Sequence, residues 1–155
     1  MENQTRKIEK TQFETEPVQS LTEAIHAFVE AYDVLQLSLA EFDAGGTIAD
    51  ALRTAMYGPV RLEGESRPSV SLYEIGVVHF PNETGGRYDI NSRKMKKALT
   101  QRGDDVQAMF VQENGILPRI IDMLLQFTEE EQHEFVYAAV LRFVNECRRL
   151  TAMLE

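Results

Sequence analysis

The sequence predicts a mainly α fold (α+β): a helical bundle with two long heptad-bearing helices, several short helices and a small β-hairpin. Three observations carry this reading. Residues 21–42 and 136–154 repeat apolar side chains at alternating steps of three and four, the spacing of one helix face. Residues 70–80 (VSLYEIGVVHF) are rich in β-branched and aromatic types, which suit a strand. Gly58, Pro59, Gly64 and Pro68 punctuate the stretch before them, which therefore reads as loop.

Taken in order, residues 1–16 are polar and aperiodic and run into Pro17. They read as a flexible N-terminal arm, leaving a single mostly helical domain over 17–155 with the hairpin inserted at about 70–90. The first long helix is expected from Ser20, with Glu23 as the reciprocal partner in a capping box. Its stripe is Leu21, Ile25, Phe28, Tyr32, Leu35, Leu39 and Phe42. Ala44-Gly45-Gly46 ends it, and Thr47 is expected to cap a short helix to about Tyr57 with Ile48, Leu52 and Met56 on one face.

After the strand over 70–80, PNETGG (81–86) supplies turn residues and Arg87–Ile90 a short return strand. Asn91 then caps a helix, with Ile90 and Met95 as a hydrophobic staple across the cap. Gly103 is expected to stop that helix and Asp104 to cap the next, which runs to about Glu113 with Val106, Met109 and Phe110 inward. Pro118 suits the first turn of a further helix, whose broad apolar face is Ile120, Ile121, Leu124 and Leu125. Thr128 and Glu131 are expected to form a capping box for the last helix. Its stripe is Val136, Val140, Phe143, Cys147, Leu150 and Leu154, widened by Phe135, Ala139 and Met153. The two stripes either pack on each other within a bundle or each meets its copy in a second chain. Either other helices of the same chain or a subunit interface covers the width of the last one, and the two stripes together with the hairpin edge lead to the expectation of a homo-oligomer.

Composition narrows the function. The chain has 155 residues, 25 acids against 16 bases and a net charge of −9, which argues against a protein that coats nucleic acid over most of its surface. One cysteine cannot form an internal disulfide, and no secretory signal is visible, so a cytoplasmic, intracellular location is expected. No apolar run approaches the roughly 18 residues needed to cross a bilayer, so no membrane association is expected. Asn82-Glu83-Thr84 and Arg102-Gly103-Asp104 match glycosylation and adhesion triplets but read as a turn and a helix junction.

The candidate catalytic groups do not converge. Glu-x-x-His occurs at Glu23/His26 and at Glu130/His133, the spacing used for metals in helical bundles. On a wheel, Glu23 and His26 lie about 150° from the apolar stripe and would face water. No metal and no cofactor are therefore expected. Cys147 falls on an apolar stripe, where a thiol acts as a small hydrophobe. Gly64-Glu65-Ser66-Arg67-Pro68 lacks the second glycine of a nucleophile elbow, and adjacent Asp104 and Asp105 point to different helix faces. His79 sits alone on a strand. There is no phosphate-binding glycine loop, and the expectation is a protein that is not an enzyme.

One stretch survives. NSRKMKKALTQR (91–102) holds five of the 16 bases. Met95, Ala98 and Leu99 share one helix face, and Arg93, Lys94, Lys96 and Lys97 share the opposite one. With Arg87 and Arg102, residues 86–102 contain six bases and one acid, Asp89, so charge is segregated along the chain. Cations in a first turn oppose the helix dipole, at roughly 0.3–1 kcal/mol each. The first long helix is the counterpart: Glu23, Glu30, Asp33 and Glu41 lie on it, and no Lys or Arg occurs between residues 21 and 43.

The reading is therefore a non-enzymatic interaction protein, a subunit or regulator of a larger assembly, acting through helix packing and charge complementarity. Its partner would be a second copy or another protein. The alternative is a nucleic-acid- or nucleotide-binding module that uses the basic helix 91–102. No helix-turn-helix supports sequence-specific reading, because the following helix offers Asp105, Gln107, Gln112 and Glu113.

Overall fold

The structure is a computed structural model that describes residues 2–42, 47–64, 69–80, 87–128 and 134–155. It is a mainly helical bundle with a small antiparallel hairpin. The helices are α1 (Glu2–Phe42), α2 (Thr47–Tyr57), α3 (Ser92–Gln101), α4 (Gly103–Val111), α5 (Ile116–Thr128) and α6 (Glu134–Leu154). Strands β1 (Val60–Arg61) and β2 (Ser69–Val70) form one antiparallel pair, and β3 (Val77–Phe80) and β4 (Arg87–Ile90) form another.

The two stripes find each other. α1 packs along α6, and Ile25, Phe28, Tyr32, Leu35 and Leu39 are buried together with Val136, Val140, Phe143, Cys147, Leu150 and Leu154. The centre is aromatic. Phe28 stacks on Phe143 with centroids 5.2 Å apart and meets Phe110 of α4 edge-on at 6.1 Å. Tyr32 bridges Phe143 at 6.0 Å and Tyr57 of α2 at 5.7 Å. Such offset and edge contacts add to the burial of large rings. Because the stripes cover each other within one chain, they give no argument for a second copy. Ala139 is also buried, whereas Met153 is exposed. Phe135, Glu131 of the expected capping box, and the Glu130/His133 pair lie outside the described side chains.

Several expected boundaries are corrected. α1 starts at Glu2, so Ser20 is an interior residue and not a cap. Pro17 lacks the N–H that would bond one turn back, which is the physical reason to expect a stop there. The packed segment beyond it provides a formed nucleus from which a helix can extend. Thr47 is the first residue of α2 and Thr128 the last of α5. Leu125 is exposed, so the inward face of α5 is Ile120 and Leu124 with Ile121 at its margin.

The strand expected over 70–80 is broken in two. Leu72–Ile75 form a 3-10 turn, and Ser71 N–H donates to Glu74 Oε2 at 3.1 Å. Gly76 closes the turn at φ 98°, a conformation favourable only to glycine. Only then does β3 begin, pairing Val77 with Ile90 and Val78 with Asp89. The expected return strand over 87–90 is present.

Polar side chains tie the outer elements to the core. The Gln36 amide on α1 donates to Ala49 O at 3.0 Å. Gln112 donates to Arg61 O at 2.7 Å, which holds β1 to the end of α4. Arg119 on α5 donates to Gly58 O at 3.0 Å, just past the end of α2. Burial lowers its pKa from the usual guanidinium value.

Cys147 is fully buried and burial pushes its thiol well above the ordinary range, with Glu146 adding to the shift. The thiolate is the reactive form. Native protein should therefore label slowly with thiol reagents and denatured protein quickly. Cys147→Ser should cost roughly 1–3 kcal/mol by burying a hydroxyl in an apolar site. Equal labelling rates in the two states would contradict this placement.

Candidate functional site

α3 is built as a two-faced helix. Asn91 Oδ1 accepts from Lys94 N–H at 3.1 Å, which fixes the N-terminus as expected. Met95, Ala98 and Leu99 are buried, and Ile90 packs at the edge of the core. This one face seats the helix and leaves Arg93, Lys94, Lys96 and Lys97 exposed on the other.

The seat itself is tight. Asn91 N–H donates to Gly76 O at 2.6 Å. A Cβ on Gly76 would lie 2.8 Å from Asn91 O and 3.2 Å from Lys94 Cβ. The 3-10 turn and its glycine therefore set where the first turn of α3, and so the basic face, is held. The sequence hint is an isolated glycine within a strand-like run.

Electrostatically α3 differs from its neighbours. α2 carries Asp50 in its first turn and α4 carries Asp104 and Asp105, whereas α3 has no acid there. Arg93 and Lys94 stand where the dipole favours anions. Among the described residues no ion pair engages the four cations. The exposed face is thus a compact set of donors that can meet carboxylates or phosphates.

The other predicted bases are placed differently. Arg102 lies between α3 and α4 as the cap residue of both, and its guanidinium donates to Glu74 O at 3.3 Å. It braces the 3-10 turn and is not part of the row on α3. Arg87 is a β4 residue paired with Phe80, and its side chain lies outside the described ones.

The acidic residues divide in the same way. Glu23, Glu30 and Glu41 are exposed on α1, while Asp33 is half-buried and already engaged. Arg142 of α6 approaches Glu30 at 3.7 Å, with both side chains largely in water, so this contact adds little. His26 is exposed beside Glu23, in agreement with the wheel. Among the described residues no three His, Cys, Asp or Glu side chains converge, and no helix is long and apolar enough to cross a membrane.

No protein-family model, curated protein or solved structure matches this chain.

Proposed function

We propose that the chain is a non-catalytic interaction protein that docks an acidic protein surface on the outer face of α3. The observation that carries this is the set of Arg93, Lys94, Lys96 and Lys97, all exposed and opposite the buried Met95, Ala98 and Leu99. The first two sit at a helix end where positive charge is disfavoured, and a bound anionic partner offsets that cost. The net charge of −9 does not oppose this reading. At about 0.15 M salt the screening length is about 8 Å, so a partner at this face responds to the nearby cations and not to acids on the far side.

Substituting all four bases by Glu tests it. No core contact is removed, and Glu in the first turn suits the dipole, so the variant should be at least as stable as the parent. Titrate parent and variant with poly-L-glutamate and with single-stranded RNA at two salt concentrations. The proposal expects the parent to bind poly-L-glutamate and the variant to lose at least tenfold in affinity, about 1.4 kcal/mol. RNA binding with no polyglutamate binding, and a salt slope that shrinks by nearly one per lost contact, would replace the acidic protein partner by a phosphate backbone. Equal behaviour of parent and variant would remove the site.

A further inference from the structure

Docking on α3 leaves open whose acidic surface is seated there, and the outer face of α1 answers this. Glu23, Glu30, Leu37 and Glu41 follow one another at steps of 7, 7 and 4. At 100° per residue they fall within about 40° of each other, opposite the buried stripe. All four are exposed. Leu37 is 60% exposed, more than any other large apolar side chain described. A leucine set in a row of carboxylates on a water-facing helix has the makings of a contact surface.

The two charged faces of one molecule do not satisfy each other. α3 packs against α1, but Met95, Ala98 and Leu99 make its buried face and its four cations are exposed to solvent. The acids of α1 likewise lie opposite the stripe that it buries. Among the described residues no ion pair joins the two sets. Their charges are therefore available for contacts between molecules.

We propose that the acidic surface seated on α3 is the outer face of α1 from a second copy of this chain, a proposal that rests on the docking role given to α3 above. The dimensions agree: α3 is about 15 Å long, and Glu30 to Glu41 spans about 16 Å with Leu37 inside it. Lysine and arginine reach carboxylates with their heads while their aliphatic stems lie along apolar surface. Lys96 and Lys97 thus cover Leu37 and pair with the flanking glutamates. Asp33 lies off the row and is not part of the contact.

Sedimentation of the full chain tests this at tens of micromolar, in low salt and at about 0.5 M salt. Thermal melts first establish that each variant is folded. The expected result is a mass above 17.7 kDa in low salt that falls to the monomer in high salt. The α3 reversal (Arg93→Glu, Lys94→Glu, Lys96→Glu, Lys97→Glu) and the α1 reversal (Glu23→Lys, Glu30→Lys, Glu41→Lys) should each be monomeric. A chain carrying both sets should associate again, because the swapped charges remain complementary. Leu37→Ala should weaken association by about tenfold. A parent that stays at 17.7 kDa throughout, a combined variant that stays monomeric, or association that ignores both reversals would each overturn the proposal. Poly-L-glutamate separates the two levels. If a monomeric parent still binds it through α3, the second copy falls and the docking face stands; if it does not, both fall.

Discussion

Phe143→Ala should lower stability by about 3–5 kcal/mol, the range for truncating a buried aromatic ring. Phe143 is fully buried, stacks on Phe28 at 5.2 Å and touches Tyr32 at 6.0 Å. Its removal leaves a cavity where α1, α4 and α6 converge, since Phe28 also meets Phe110. Helices packed on three sides relax only partially into that space. Urea unfolding should show a lower midpoint with an unchanged slope. The double variant Phe28→Ala/Phe143→Ala should lose less than the sum of the singles, because the rings share one contact. A loss below about 1 kcal/mol, the size of a surface substitution, would mean that the stripes do not meet here.

Gly76→Ala is the second large effect, expected to cost at least about 2 kcal/mol. Two causes combine. The residue sits at φ 98°, which strains any side chain that has a Cβ, and that Cβ would lie 2.8 Å from the Asn91 carbonyl oxygen. That neighbour is backbone and must move with the first turn of α3. The Lys94 amide, protected by the Asn91 cap at 3.1 Å, should exchange faster with solvent in the variant. Gly103→Ala is the control. Gly103 lies at the start of α4, and a Cβ there would meet nothing within 4 Å. The same substitution at that position should be neutral or stabilise by about 0.4–1 kcal/mol. Equal losses at the two positions would contradict the role of Gly76 in seating α3.

The features legible in the sequence are those with a period or a local partner. The stripes of α1 and α6 repeat every 3.5 residues and are buried from Ile25 to Leu39 and from Val136 to Leu154. Asn91 caps three residues from the amide it accepts from, so the start of α3 is readable from the sequence and its outward cations follow from the same wheel. The break at Gly76 is harder to read, because Leu72 and Ile75 are apolar and buried whether they belong to a strand or a 3-10 turn. The pair β1–β2 has only two residues a side and leaves no alternation to detect. Gln36, Gln112 and Arg119 act on backbone carbonyls far away in sequence, and a polar residue on a helix gives no sign of such a role. Arg102 reads as one more base in a basic run, yet the chain turns at that residue and directs it to the 3-10 segment.

The charged faces follow from helix geometry, so their test is local. Amide chemical-shift mapping of the parent protein during titration with poly-L-glutamate is the most direct measurement. The account predicts perturbations concentrated on residues 91–97 at the start of α3, weakening as salt rises and absent when Arg93, Lys94, Lys96 and Lys97 are all Glu. Perturbations centred on any other element, or none under conditions in which the protein is folded, would contradict α3 as the docking face.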